Sequence, residues 1–244
     1  MKKILCVFLV CALMTGALCL TSCGEEETKS QSSSDSESGT EAPSSSGEKA
    51  IKEYLAQFTE GDDPLYGTWQ LKGFEYLSYI FRNDDLAEMV MGTEGDFAAL
   101  NVNKNKKTLS VQLMIGLNGT YTYSFSDDND TLTLISTSDK SSKLTLTRQD
   151  NYSIVPKAPS KAEVDSEILG WWKSSSGMLC CLGGDGIMYS NSITFETCYT
   201  YTAKNGKINA VYQYGGEMKE KLDYKLKGKK LTLNGIEYKR TEKP

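Results

Sequence analysis

The chain of 244 residues contains no histidine, and this absence excludes several kinds of active site. Ser-His-Asp and Cys-His nucleophile pairs need an imidazole, and so do metal sites built on histidine. A pair of carboxylates would still be available for acid-base chemistry, but the spacing of the Asp and Glu residues singles out no pair. We therefore expect no enzyme activity, no cofactor and no metal site.

The chain also lacks an excess of positive charge. Its 27 Lys and Arg residues stand against 32 Asp and Glu residues, which gives a net charge of −5. Proteins that bind nucleic acid usually carry a basic face or stripe that neutralises phosphates. The sequence shows no such stripe, so we expect no nucleic-acid partner.

The longest apolar run of the chain lies at the N-terminus. Lys2 and Lys3 precede an apolar run over residues 4–20, which ends in the small residues Thr21 and Ser22. A basic start, an apolar middle and small residues before a cleavage point predict a signal peptide over residues 1–22. The alternative is a transmembrane helix, but the run is at the short end of what spans a bilayer, and no basic cluster follows it.

The segment Leu20-Thr21-Ser22-Cys23 resembles the lipobox of bacterial lipoproteins. The resemblance implies cleavage before Cys23 and attachment of a diacylglycerol to its sulfur, with acyl chains such as palmitate. Each buried methylene adds about 0.8 kcal/mol, so two or three chains hold a protein firmly. The resemblance thus implies a lipid-anchored protein of the cell envelope, at the extracytoplasmic face of a bacterial membrane.

A polar segment follows the predicted anchor. Residues 23–49 are rich in Ser and Glu and lack large apolar side chains, so they cannot offset the entropy of ordering, and we predict a disordered tether. In the next stretch, Ile51, Tyr54, Leu55 and Phe58 recur at helical spacing, which predicts a short helix from Ala50.

The remaining sequence predicts a mostly β protein with two antiparallel domains. Runs rich in Thr, Tyr, Val, Ile and Leu alternate with turn signals, and three Asn-Gly pairs favour tight hairpins at 118–119, 205–206 and 234–235. Pro156 and Pro159 interrupt the pattern. We therefore predict a first β domain over residues 50–149, a linker over 150–166 and a second β domain over 167–244.

One helix is predicted within the first β domain. Asn83 or Asp85 offers a cap, Leu86, Met89 and Val90 share a helical face, and the following glycine at 92 is a stop signal.

The two predicted domains share a degenerate repeat of roughly 80 residues. Each begins with the motif Gly-x-Trp and ends with an arginine, and this pattern resembles the lipocalin signature. The resemblance implies two tandem lipocalin-like barrels or half-barrels, in which the arginine packs across the tryptophan ring and joins the first strand to the last. The signature residues are Gly67, Trp69 and Arg148 in the first domain, and Gly170, Trp172 and Arg240 in the second.

Three cysteines follow the predicted anchor. Cys180 and Cys181 are neighbours on a predicted strand and point to opposite faces. At most one of them can therefore face Cys198 in a disulfide. A disulfide of Cys198 with Cys180 or Cys181 and three buried free thiols both remain open.

The second predicted domain is rich in tyrosine, and this composition suggests two functions. Facing inward, Tyr199, Tyr201, Tyr212 and Tyr214 would line a cavity for a small apolar or amphipathic ligand. Facing outward, they would bind a surface protein or a glycan, as in an adhesin or inhibitor with a filled core. Ordinary core packing explains the same tyrosines without either function.

Overall fold

The structure is a computed structural model that describes residues 46–150, 154–192 and 194–244. The described residues belong to one compact unit. The predicted signal peptide over 1–22, the lipidation site Cys23 and the tether up to residue 45 lie outside the described residues. Among these described residues, no helix combines the length and the apolar composition of a membrane span.

The described chain is mostly β, as the sequence predicts. One α-helix, α1 (Gly47–Ala56), precedes seventeen strands. The strands are β1 (Gly67–Leu71), β2 (Leu77–Phe81), β3 (Leu86–Met91), β4 (Glu94–Ala99), β5 (Asn101–Asn103), β6 (Thr108–Gln112), β7 (Asn118–Phe125), β8 (Thr131–Ser136), β9 (Lys143–Gln149), β10 (Gly170–Ser174), β11 (Leu179–Leu182), β12 (Ile187–Asn191), β13 (Phe195–Lys204), β14 (Lys207–Gln213), β15 (Glu217–Lys227), β16 (Lys230–Leu233) and β17 (Ile236–Thr241).

Helix α1 begins earlier than the sequence pattern indicates. The Ser46 hydroxyl accepts a hydrogen bond from the Lys49 N–H at 3.2 Å, which is a standard N-cap. The predicted tether therefore cannot include residues 46–49. The helix buries Ile51, Tyr54 and Leu55 against β11 and β12, the face that its helical spacing predicts.

Strands β10–β17 form a closed antiparallel barrel of eight strands, here called the C-terminal barrel. Each strand pairs with the next, and β17 returns to pair with β10, where Trp172 lies opposite Arg240. The inner face of the barrel holds one apolar core. Its large buried members are Ile168, Trp172, Leu182, Met188, Tyr199, Tyr201, Ile208, Tyr224, Leu231 and Tyr238.

Strands β1–β9, here called the N-terminal sheet, also return to their starting strand. Strand β1 pairs with β2 on one side and with β9 on the other, and the chain passes directly from β4 to β5 through Leu100. The inner face of this sheet is packed with large side chains. They include Trp69, Tyr79, Phe81, Met89, Leu109, Leu117, Tyr121, Tyr123, Leu132, Leu134 and Leu146.

The helix predicted around Leu86–Val90 is wrong, because this segment is strand β3. Its side chains alternate between two buried faces: Met89 packs in the inner core of the N-terminal sheet, and Val90 packs on the outside. A six-residue segment buried on both faces satisfies a helical and a strand pattern equally well. Asp85 (φ 61°) and Gly92 (φ 72°), the expected helix ends, occupy the turns that flank the strand.

Two of the three predicted Asn-Gly hairpins are confirmed. Asn205-Gly206 and Asn234-Gly235 have positive φ at both residues and connect paired strands. The prediction at 118–119 is wrong, because Asn118 already belongs to β7. There the chain turns through residues 113–117, where the Leu113 N–H donates to the Leu117 carbonyl at 2.9 Å.

The N-terminal sheet and the C-terminal barrel are joined by main-chain pairing. Strand β4 pairs antiparallel with β13, with Asp96 opposite Phe195 and Glu94 opposite Thr197. A third apolar core fills the space between α1 and the outer faces of the strands. It includes Ile51, Tyr54, Leu55, Ile80, Val90, Ile154, Trp171, Leu179, Cys181, Ile187, Tyr189 and Cys198.

The described part of the segment predicted as a linker, over residues 150–166, packs against the third core and β13. Ile154 is fully buried in the third core. The Ala203 N–H donates to the Glu163 carbonyl at 2.8 Å, and the Asp165 N–H donates to the Ala203 carbonyl at 3.1 Å. This part of the chain therefore holds a fixed position beside β13.

Candidate functional site

The first signature pair, Trp69 and Arg148, closes one end of the N-terminal sheet. The two residues lie opposite each other on β1 and β9, and the Arg148 Cζ is 4.3 Å from the Trp69 ring centroid. The indole N–H donates to the Leu65 carbonyl at 2.9 Å, and Arg148 donates to the carbonyls of Pro64 and Tyr66. The fully buried ring and this local hydrogen bonding give the pair a structural role.

The second pair, Trp172 and Arg240, repeats this geometry in the C-terminal barrel. The Arg240 Cζ is again 4.3 Å from the ring centroid, and the indole N–H donates to the Ile168 carbonyl at 2.8 Å. Arg240 donates to the Glu167 and Leu169 carbonyls. A cation over an indole ring contributes about 0.5–2 kcal/mol. Because each tryptophan lies on the first strand and its arginine on the last, each pair stabilises the contact between these two strands.

The two signature glycines have positive φ angles, and Gly67 also makes room for Arg148. Gly67 has a φ of 136°, and a Cβ there would lie 2.8 Å from Nη1 of Arg148. Gly170, at the same place in the C-terminal barrel, has a φ of 113°. Both conformations strongly favour glycine.

The structure does not form the predicted disulfide of Cys198 with Cys180 or Cys181. All three side chains are buried free thiols. Cys181 and Cys198 share a face, but Tyr189 of β12 lies opposite both and separates them by two strand spacings, about 10 Å. A disulfide needs Cα atoms within about 7 Å. Cys180 points the other way, into the barrel core.

The thiols are also poor nucleophiles in this position. Burial raises the pKa of Cys180 to about 12, and burial also raises the pKa of Cys181 and of Cys198. A thiol reacts mainly as the thiolate. These cysteines are therefore part of the packing.

Several tyrosines of the second half fill space on the inside of the barrel. Tyr201 is buried and its hydroxyl donates to the Gly183 carbonyl at 3.0 Å, while Tyr224 donates to Asp165 at 3.0 Å. Tyr199 packs edge-on against Tyr212, with ring centroids 5.4 Å apart. Burial raises the pKa of Tyr199 and Tyr201. An eight-stranded barrel has just enough interior for side chains or one small ligand, and here side chains occupy it.

Two half-buried carboxyl groups lie near the junction of β4 and β13. Burial raises the pKa of Glu94, and the nearby carboxylates of Glu220 and Asp96 raise it further. Burial also raises the pKa of Glu220. Among the described residues, no group of three or more Asp, Glu, Cys or His side chains is placed to hold a metal ion.

A buried polar cluster lies between the N-terminal sheet and the C-terminal barrel. Glu88 and Glu196 are almost fully buried, and the Tyr189 hydroxyl donates to Oε2 of Glu196 at 2.8 Å. Arg82 stacks 3.7 Å from the centroid of the Phe58 ring. Because these groups are closed off from solvent, we assign the cluster to structure, where buried polar partners fix one arrangement of the packed elements.

Two loops at the end of the N-terminal sheet opposite Trp69 carry exposed apolar side chains. Successive hairpins of a sheet alternate between its two ends. Because the chain passes directly from β4 to β5 without a hairpin, the β1–β2 and β6–β7 loops lie at the same end. We call these loops, residues 72–76 and 113–117, the upper rim. Phe74 and Tyr76 in one loop and Met114 and Ile115 in the other are exposed, with Tyr76 at 60% and Met114 at 63%.

A cleft of about 320 Å³ opens beside the upper rim, on the outer face of β1, β2 and β9. We call it the outer cleft. Its polar and aromatic lining consists of Gln70, Glu75, Tyr76, Ser78, Gln149 and Asp150.

Sequence reasoning missed both the buried polar cluster and the outer cleft. Each combines residues from strands that are distant in sequence, so no local spacing marks them. One signal was available for the rim: Phe74 and Tyr76 are two aromatics in a short segment after Gly73, where a turn exposes them. Tyr199 and Tyr201, for which core packing was one of three alternatives, lie in the core of the barrel.

Comparison with known proteins adds no relative to this picture. The sequence matches no protein-family model, and it matches no curated protein.

Proposed function

We propose that this chain is a lipid-anchored, extracytoplasmic interaction protein that binds its partner on its outer surface and catalyses no reaction. The observation that carries this proposal is the filling of both inner faces. Fully buried Trp69 and Phe81 occupy one, and fully buried Trp172 with Tyr201 occupies the other. The packing favours the surface-binding function over a small apolar ligand held inside a barrel.

We further propose that the two halves are tandem lipocalin-like domains, bounded near residues 50–149 and 167–244. The support is the repetition of one local geometry. In each half, a tryptophan on the first strand lies opposite an arginine on the last, the guanidinium sits 4.3 Å from the ring, and the indole donates to a carbonyl four residues earlier. The closed pairing of β10–β17 and the return of β9 to β1 agree with this proposal.

The anchor rests on the resemblance of Leu20-Thr21-Ser22-Cys23 to a lipobox. Metabolic labelling with a fatty-acid analogue in the host tests it. We expect wild type and the control Cys11→Ala to carry label, and Cys23→Ala to remain an unlabelled, uncleaved precursor. Label on Cys23→Ala equal to wild type would exclude Cys23 as the attachment point.

A titration separates the surface function from a ligand held inside a barrel. With filled interiors, we expect a fluorescent fatty-acid probe to show no saturable binding, and native mass spectrometry of protein from the host to show no bound small molecule. Saturable one-to-one probe binding would support the internal ligand and overturn the surface-binding proposal.

The upper rim is the surface that we propose for binding. A photo-crosslinking residue at Met114 should join the protein to a partner on the cell surface. The matched control is the same residue at Ile236, another exposed apolar position, on the C-terminal barrel. Equal cross-linking from both positions would argue against a defined binding surface at the rim.

A further inference from the structure

We infer that the outer cleft is a subsite for one ring of a neutral sugar, so that the partner recognised at the upper rim is a neutral glycan. This inference rests on the proposed function, because it names the class of ligand that the outer surface takes. It follows from the size, the polar floor, the aromatic wall and the charge of the cleft.

The size of the cleft suits a single sugar ring. Ligand pockets in proteins run from roughly 300 to 1,000 Å³, and this cleft, at about 320 Å³, lies at the lower end. The cleft opens to solvent beside the rim, so the ring of one residue enters while the rest of a glycan extends over the surface. We therefore expect recognition of a short segment of a longer chain.

The floor of the cleft offers paired donors and acceptors on rigid strands. Gln70 of β1 lies opposite Ser78 of β2, and the Gln149 Nε2 lies 3.5 Å from the Gln70 Oε1. A side-chain amide has both a donor and an acceptor, as a hydroxyl does. The Gln70 Nε2 already donates to the Glu75 carbonyl, and the Gln149 Nε2 faces the Gln70 Oε1. One Gln70 N–H, the Gln149 Oε1 and the Ser78 hydroxyl remain for the adjacent hydroxyl groups of a sugar, each of which donates and accepts.

One wall of the cleft is the aromatic ring of Tyr76. Phe74 packs edge-on against it, with centroids 6.1 Å apart and planes at 80°, so the tyrosine ring has a packed neighbour although it is exposed. Gln70 also donates to the Glu75 carbonyl at 2.8 Å, which ties the loop to the floor. A flat apolar ring of this kind packs against the C–H face of a sugar while its edge stays wet.

The charge of the cleft selects against acidic ligands. Among the described residues that line it, Glu75 and Asp150 are acidic and none is Lys or Arg. A phosphate, sulfate or carboxylate would meet repulsion there, whereas carboxylates accept hydrogen bonds from neutral hydroxyls. A cationic amine would also suit two carboxylates, but the amide floor would then have no role. The lining as a whole favours a neutral polyol.

Saturation-transfer NMR on the full lipid-anchored protein in detergent micelles tests the inference. The probes are neutral oligosaccharides of glucose, galactose, mannose and N-acetylglucosamine, with glucuronic acid and cadaverine as charged comparisons. For a ring of about a dozen heavy atoms, we expect saturable binding of at least one neutral oligosaccharide with a dissociation constant of about 1 mM. No binding of any neutral sugar, or binding of cadaverine alone, would overturn the inference.

Variants locate the binding. Tyr76→Ala should weaken it about tenfold, Gln70→Ala about fivefold, and Tyr76→Phe less than about twofold because the ring remains. The matched control, Ile236→Ala, changes an exposed apolar side chain on the C-terminal barrel, away from the rim and the cleft, and should leave sugar binding unchanged. Sugar binding that survives both Tyr76→Ala and Gln70→Ala would place it elsewhere and overturn the assignment.

The experiments can disprove the sugar subsite and the surface-binding function separately. If no neutral sugar binds but cross-linking from Met114 persists, the sugar subsite is wrong and the surface-binding function stands. If the fatty-acid probe binds saturably inside the protein, the surface-binding function itself is wrong.

Discussion

Asp185, in the turn between β11 and β12, caps helix α1 through the backbone of Gly47, 138 positions away in sequence. Its Oδ1 accepts from the Gly47 N–H at 3.0 Å, and its Oδ2 accepts from the Glu48 N–H and the Ser46 hydroxyl, each at 3.0 Å. The first N–H groups of a helix have no partner inside the helix. The C-terminal barrel thus completes the start of a helix that precedes the N-terminal sheet.

Removing this cap should destabilise the protein. We expect Asp185→Ala to lower the free energy of unfolding by about 1–3 kcal/mol, because the N–H groups of Gly47 and Glu48 lose their acceptors. Urea unfolding followed by tryptophan fluorescence measures the change. Asp127→Ala, at an exposed turn position, is the control and should stay within about 0.5 kcal/mol of wild type. Equal effects of the two substitutions would show that the cap is weak.

Gly47 should resist replacement even though alanine is the better helix former. Alanine gains up to about 1 kcal/mol in a helix interior. However, a Cβ at Gly47 would lie 2.7 Å from the Gly183 Cα and 2.7 Å from the Ile187 carbonyl oxygen. Since both contacts are backbone, we expect Gly47→Ala to lose about 1–3 kcal/mol.

The control for this prediction is Gly216→Ala, where a Cβ would meet no atom within 4 Å. Thermal unfolding of both variants gives the comparison. A Gly47→Ala protein more stable than wild type would mean that the helix start does not pack as closely as the structure shows.

The two stacked arginines should contribute to stability in parallel. Arg148→Ala and Arg240→Ala should each cost about 1–3 kcal/mol through lost stacking and lost hydrogen bonds to carbonyls. Variants with lysine at either position should have intermediate stability, because lysine keeps the charge but not the planar guanidinium group. Chemical denaturation measures these changes, with the exposed Lys143→Ala and Lys239→Ala as controls. Full stability combined with lost binding in both alanine variants would point to a direct role in recognition.

The half-buried carboxyls near the β4–β13 junction should make the protein less stable as pH rises. The folded-state pKa of Glu94 and of Glu220 lies above the ordinary value of 4.5. The folded state therefore holds these protons more tightly than the unfolded state, so the stability they contribute is present below about pH 4.5. It is lost as pH rises through the folded-state pKa.

Glu94→Gln should remove part of this dependence. We expect it to raise stability at pH 7 by a fraction of 1 kcal/mol, since solvent screens a half-buried group, and to change stability little at pH 4.5. Urea midpoints at several pH values between 4.5 and 7 measure the slope. The exposed Glu242→Gln is the control, and an unchanged slope in Glu94→Gln would contradict the assignment.

The three buried thiols should be unreactive in the native protein. At pH 8, a colourless disulfide reagent that releases a chromophore should react with none of Cys180, Cys181 and Cys198, because burial keeps them protonated and inaccessible. In urea without reductant, all three should react. Fewer than three reactive thiols after unfolding would reveal a disulfide.

Local patterns in the sequence predict the β content and several connections. Period-two alternation and Asn-Gly turns depend on neighbouring residues, so Asn205-Gly206 and Asn234-Gly235 could be assigned directly. The contacts of Arg148 with Trp69 and of Arg240 with Trp172 were implied by the resemblance to the lipocalin signature, and both are present in the structure.

Features that depend on the junction of the two halves could not be predicted. Strand β3 is buried on both faces because Val90 meets the third core, and this burial made its pattern look helical. Likewise, only the insertion of β12 between β11 and β13 shows that Cys181 and Cys198 are too far apart to bond.

The candidate site was the least predictable part. Gln70, Tyr76 and Gln149 of the outer cleft come from β1, a loop and β9, and they form a cleft only once β9 pairs with β1. Nothing in their sequence spacing marks this arrangement.

The position of α1 has a mechanical consequence. Tension applied to the N-terminus enters the described chain at Ser46, whose hydroxyl binds Asp185 of the C-terminal barrel. The other end of the helix is fixed to the N-terminal sheet, where the Asn83 side chain donates to the Gln57 and Glu60 carbonyls. A pulling force is therefore shared between the two halves from the first loaded residues. The β1–β9 strands, with the upper rim, should keep their shape under a load that would peel away an unattached helix.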